Sequence, residues 1–169
     1  VRAPSPTAER LARSGGSSGH LRRLRNARHH MLIRVQGPPD DAPRHAQAAR
    51  QTARLLAAAA GGLVMDVDSR QVVGGSDAEP ARFVLGEGWI GVFVTEERGL
   101  VRADTWGMHR FGLPELAVRG APYGHLLTAA NLLRVLAFRV FSQRREQAVP
   151  DTLFLDGADL LRFWGARPL

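Results

Sequence analysis

The chain has 169 residues, 44% of them apolar, with 23 basic side chains, 16 acids, no cysteine and a formal net charge of +7. Every one of the 23 cations is arginine, so lysine is absent as well as cysteine. That excludes disulfides, thiolate metal sites, cysteine nucleophiles, Schiff bases, Ser-Lys dyads and lysine-bearing phosphate loops, and arginine, always protonated, cannot serve as a base in their place.

The charge is concentrated at the N-terminal end. Residues 1–30 hold seven arginines and one acid, Glu9, or +6; the remaining 16 arginines and 15 acids leave +1. This stretch is rich in Pro, Ser and Gly and poor in bulky apolar residues, so it cannot bury enough surface to fold alone. A disordered Arg-rich tail over 1–30 and a single domain over 31–169 are expected. Met31 stands just before the first strand-like run, where a translation start would be natural. The dense part of the tail, His20, Arg22, Arg23, Arg25, Arg28, His29 and His30, could reach nucleic-acid phosphates, although no aromatic residues are interleaved to stack on bases. Arg- and Ser-rich, acid-poor sequence is also the composition of a transit peptide. A GC-rich coding sequence yields an all-arginine cation set with no functional meaning.

Leu32–Gln36 reads as a strand, ended by Gly37-Pro38-Pro39. Asp40 and Asp41 suit a helix cap and Pro43 a first turn. From Ala42 to Ala60 apolar residues 46, 49, 53, 56 and 60 recur at helical spacing, which places Arg50 and Arg54 on the wet side. Gly61-Gly62 stops the helix, and Leu63–Val67 reads as a second strand. Strands at Trp89–Thr95 and Leu100–Trp106 flank a turn at Glu96–Gly99, and Leu116–Arg119 suggests a third. Leu126–Arg145 is the longest helix. Its polar residues Thr128, Asn131, Arg134, Ser142 and Arg145 form a narrow stripe, so most of its surface seeks cover. Thr152–Leu155 and Ala158–Trp164 read as a last strand and short helix. The expected fold is therefore α+β, a mainly antiparallel sheet with two principal helices on one face, in the ferredoxin-like order β-α-β then β-β-α. The longest uncharged runs, residues 121–133 and 55–65, fall short of the roughly 18 apolar residues a bilayer span needs. With no signal-peptide core in view, a cytoplasmic protein without membrane contact is expected.

Gly86-Glu87-Gly88-Trp89-Ile90-Gly91 matches G-x-G-x-x-G, but it leads into a strand where a dinucleotide loop opens a helix. Asp66 and Asp68, spaced i, i+2 at a strand end, could share a divalent cation; they could equally turn and solvate the strand end. The densest unusual stretch is Asp104 to Leu116. In a binding loop, His109 and Arg110 would face the ligand, Glu115 would pair with Arg110, and Trp106 and Phe111 would form the floor. His109 and Glu115 are of the right type for proton chemistry. Two His, 109 and 125, with Asp104 make a bare metal set. Alternatively the stretch is a corner between strands, with Gly107 and Gly112 supplying unusual backbone angles and Trp106 and Phe111 in the core.

The run Thr105, Gly107, Phe111, Gly112, Pro114, Glu115, Leu116, written T-x-G-x-x-x-F-G-x-P-E-L, resembles one in an uncharacterised family of bacterial domains of unknown function. The resemblance covers about residues 31–145. It implies an intact fold beginning near Met31 and carries no activity with it.

The expected function is a non-catalytic protein- or ligand-binding module, with Trp106, His109, Arg110, Phe111 and Glu115 and the exposed sheet edge as contact region. No cofactor or metal is implied, and a protein partner or homo-oligomer is. The alternatives are a small hydrolase or transferase using Asp66, Asp68, His109 and Glu115, and a nucleic-acid binder working through residues 20–30.

Overall fold

In the computed structural model the described residues are 16–73, 82–86, 88–144 and Ala158. The chain divides into two compact units, Val1–Val84 and Leu85–Leu169. The expected strand at 152–155 and most of the expected helix at 158–164 lie outside the described residues, as do residues 1–15 of the tail.

In the first unit, helix α1 spans Ser18–Asn26 within the basic stretch. A reciprocal cap starts it. The His20 amide donates to Ser17 Oγ at 3.3 Å, and the Ser17 amide donates to His20 Nδ1 at 3.1 Å. Satisfying two amides at the helix start favours a turn that composition alone disfavours. None of its residues is buried.

Residues 27–38 have no regular structure, so the strand expected at Leu32–Gln36 does not form. Helix α2, Ala42–Ala60, has the expected bounds. It is entered through a 3-10 turn, Pro39–Asp41, and left through Gly61 at φ +62°. Asp41 sits at the cap position but makes no side-chain capping bond.

The covered face includes Ala46, Ala49 and Ala53 as expected, but it also takes in both arginines, and the stripe's last positions, Leu56 and Ala60, are exposed. Arg50 is buried and Arg54 half-buried, while Leu55 is 66% exposed and Leu56 is also exposed. The cause is an ion pair: Arg50 Nη2 lies 2.7 Å from Asp66 Oδ2, with both side chains nearly buried. A buried guanidinium needs a carboxylate, and Asp66 provides one.

Asp66 ends strand β1, Val64–Asp66, which pairs antiparallel with β2, Gln71–Val73. A hairpin therefore stands where a parallel crossover was expected. The other Asp66 oxygen, Oδ1, accepts from the amides of Asp68 and Ser69, both at 3.1 Å, and folds the turn between the strands.

The second unit is a three-stranded antiparallel sheet, β3 (Gly91–Glu97), β4 (Leu100–Trp106) and β5 (Ala117–Pro122), in that order. Arg98 and Gly99, at φ +56° and +79°, join β3 to β4. Positive φ at both loop residues matches the mirror-image turn that suits strand twist. Along β4 the residues alternate, with Val101, Ala103 and Thr105 buried. Helix α3, Leu126–Gln143, packs across all three strands. It buries Ala129, Ala130, Leu133, Val135, Ala137, Val140 and Phe141. Tyr123–Gln143, with a mean hydropathy of 1.2, is long and apolar enough to cross a membrane by length and composition; its buried stripe is that of a helix laid on a sheet. Arg144 closes it, donating from Nη1 to the Phe141 carbonyl at 2.7 Å.

The α+β class holds, with antiparallel sheets throughout. Among the described residues the element order is α-α-β-β in the first unit and β-β-β-α in the second, and residues 32–36 join no sheet, so the ferredoxin-like order is not confirmed.

The buried pair gives a stability prediction. Asp66→Ala removes the carboxylate beside the buried Arg50 guanidinium, and should cost roughly 3–5 kcal/mol. The paired change Arg50→Met with Asp66→Asn removes both charges and keeps the Oδ1 acceptor in the turn. Urea unfolding should show a large drop for the single variant and recovery of most of it in the double.

Candidate functional site

The 105–116 stretch leaves β4 and returns to β5 through a closed corner. Gly107, at φ +113°, turns the chain out, and Gly112, at φ +71°, turns it back. A side chain is disfavoured at both positions. Between them His109–Phe111 makes a 3-10 turn capped by Met108, with the Phe111 and Leu113 amides donating to the Met108 carbonyl at 2.9 and 3.3 Å. Met108, Phe111 and Leu113 are buried. The Phe111 ring meets Phe141 of α3 edge-on, centroids 5.0 Å apart. Three apolar anchors in six residues fix the loop to the core.

Glu115 closes the corner. Its Oε2 accepts from Thr105 Oγ at 2.8 Å. Its Oε1 accepts from the Gly107 amide at 2.9 Å, the His109 amide at 3.2 Å and His109 Nδ1 at 2.7 Å. Donation from Nδ1 to a carboxylate fixes the protonated nitrogen of that ring. Thr105 Oγ also accepts from the Leu116 amide at 2.7 Å. Partial burial pushes the Glu115 carboxyl up, but the hydrogen bonds from His109, Thr105 and the backbone outweigh it and hold the group below its ordinary 4.5.

The proposed ligand-facing arrangement is not what this geometry makes. Glu115 pairs with His109, not Arg110. Phe111 is core, not a ligand floor. The Arg110 guanidinium lies 5.6 Å from the Trp89 ring centroid and 6.0 Å from that of Phe111, within range of a cation–π contact. Trp89 is buried and Trp106 half-buried. His109 is half-exposed, but its Nδ1 is committed to the carboxylate.

Asp66 and Asp68 belong to the first unit, His109 and Glu115 to the second. Asp66 is spent on Arg50 and its own turn. The Gly86–Gly91 run leads through a turn, Trp89 amide to Gly86 carbonyl at 3.0 Å, into β3. Among the described residues no three His, Asp or Glu side chains gather into one group. Sequence reasoning missed Arg50; the signal available was an arginine pair at i, i+4 on the helix that precedes Asp-x-Asp. Comparison with family models, with curated proteins and with solved structures found no match.

The depressed Glu115 pKa fixes the sign of a pH effect. A carboxyl held low when folded contributes stability above its unfolded value, and loses it as pH falls through the folded one. Thermal melts should therefore show this share of stability intact at neutral pH and fading below about pH 4.5. Glu115→Gln should lower stability at pH 7 by on the order of 1–3 kcal/mol and flatten the acid limb. An unchanged acid limb would contradict the assignment.

Proposed function

We propose that the chain is a non-catalytic binding module, and that its contact surface is the outer edge of β3 rather than the 105–116 corner. The observation that carries this reading is a contrast between the sheet's two edges.

The β5 edge is guarded. It has a register break opposite Val101/Arg102, a positive-φ glycine at Gly120, an exposed Arg119 and a terminal Pro122. These are devices that prevent another strand from adding. The β3 edge carries one such device, the exposed charges Glu96 and Glu97 at its far end, and its first five residues have none. It is seven residues long, regular in register with β4, and free of proline and bulge. Strands β1 and β2, at three residues each, are too short to template much.

The two-residue loop makes Glu97–Leu100 a hydrogen-bonded pair, and every second pair after it. The amides and carbonyls of Val92, Val94 and Glu96 therefore point away from β4. An extended peptide adding there gains main-chain hydrogen bonds for affinity and alternate side-chain contacts for specificity. Against a catalytic reading, the carboxylates of Asp66 and Glu115 are each consumed by local bonds that build the fold.

Selection of peptides from a random displayed library on the immobilised chain tests the reading. Peptides that alternate apolar and polar residues should be enriched. They should bind Glu96→Pro, which removes one outward amide and leaves the β4 ladder intact, about tenfold or more weakly. Enriched peptides that bind the variant equally well would sink the edge assignment.

A further inference from the structure

We infer that the β3 edge is occupied by residues Met31–Gln36 of a second copy of this chain, exchanged reciprocally in a dimer. The inference rests on the edge reading above and names its partner.

Four observations meet here. Residues 31–36 have no regular structure, yet Met31 is 74% exposed, Leu32 78% and Val35 43%. Leaving three large apolar side chains in water along six residues is unfavourable, and a contiguous apolar stretch of this kind marks a contact site. The stretch reads Met-Leu-Ile-Arg-Val-Gln, so Met31, Ile33 and Val35 share one parity and Leu32, Arg34 and Gln36 the other. From Ile33 on that is the period-two pattern of a strand with one covered face. Ile33 is half-buried, and Leu32 stands on the opposite face, across from which Phe93 lies on the receiving edge.

The receiving edge has the matching faces. Val92 and Val94 pair across from Thr105 and Ala103, both buried on the helix-covered side of the sheet. Phe93, Thr95 and Glu97 lie on the open side. An added strand would place two of Met31, Ile33 and Val35 beside the two valines, extending the apolar layer, with the third against the aliphatic stem of Glu96 on the same face. Arg34 would then share the open face with Thr95 and Glu97.

Charge agrees with shape. Residues 16–39 contain Arg22, Arg23, Arg25, Arg28 and Arg34 and no acid, whereas β3 ends in the exposed pair Glu96-Glu97. A basic arm leading to an acidic edge favours encounter and discourages pairing of two arms. Reciprocal exchange about a two-fold axis closes the assembly and leaves neither an open arm nor an open edge.

Light scattering on the full chain tests this with two variants whose sites are exposed, so that folding is undisturbed: Glu96→Pro on the edge, and Met31→Glu with Val35→Glu on the arm. Circular dichroism melts check that both remain folded. The wild-type chain should run at twice its 18.4 kDa mass, and each variant alone should run as a monomer. An equimolar mixture of the two variants should recover a heterodimer in native mass spectrometry, because one intact arm meets one intact edge. A wild-type monomer at about 100 μM, too weak for a specific dimer, would overturn the inference and leave the edge reading to the peptide selection. A dimer insensitive to both variants would overturn it too, placing the interface elsewhere. Loss of the dimer with Glu96→Pro but not with the arm variant would show edge-to-edge pairing, which overturns the arm as occupant and retains the edge.

Discussion

Much of the second unit hangs on one carboxylate. Glu115 accepts from a hydroxyl on β4, from two amides of the excursion and from an imidazole, so it ties the departure of the chain from β4 to its return into β5. With those ends joined, the Leu116 amide falls on Thr105 and the Thr105 amide on the Leu116 carbonyl, 2.9 Å apart, and the β4–β5 register follows. The bonds are charge-assisted, which makes them stronger than neutral ones. They also explain why a half-exposed histidine beside a carboxylate need not be chemistry: the pair is the staple of a turn. The Thr-x-Gly, Phe-Gly and Pro-Glu-Leu spacing becomes intelligible as one device. Thr105 supplies the hydroxyl, Gly107 and Gly112 the two reversals, Phe111 the anchor and Glu115 the clasp.

The first unit uses the same economy with a different pair. Asp66 spends one oxygen on Arg50 and the other on the turn after β1. Helix α2 thereby covers Arg50 alongside Ala46, Ala49 and Ala53 of its apolar stripe. The energetic reason is asymmetry of scale. Exposing a leucine forgoes roughly 1.5–3 kcal/mol of burial, whereas an arginine buried without its partner costs about 3–5 kcal/mol. Once Arg50 is covered, keeping its pair with Asp66 outweighs the burial of Leu55, which stays in water.

The elements that were legible in the sequence are those set by local chemistry. Helix α2 between Asp41 and Gly61, the hairpin around Arg98-Gly99, and the two reversals at Gly107 and Gly112 all follow from turn residues and periodicity, and so does the α+β class. What was not legible depends on partners distant in sequence. The alternation of residues 32–36 is that of a strand, but a strand needs a neighbour, and β1 found its neighbour in Gln71–Val73. The burial of Arg50 depends on Asp66, sixteen residues away. The partner of Glu115 was misread for a related reason: Arg110 is the stronger cation, but the 3-10 turn carries it toward Trp89 and brings the His109 amide and ring to the carboxylate.

The same dependence on distant partners gives the β3 edge its meaning. A sheet edge is costly to leave plain, because it invites uncontrolled pairing, and this chain spends a bulge, an arginine, a glycine and a proline on β5 to prevent it. Stability alone would be served by similar protection on β3. Among the described residues one edge is guarded and the longer, more regular one is guarded only at its far end, and a strand-patterned segment stands exposed; in the dimer proposed above these become two halves of one pairing. Each half invites a partner, since one offers a template for strand addition and the other exposes apolar side chains. In the proposed exchange they would satisfy one another, and the features that look like flaws in an isolated copy would be what an assembled pair requires.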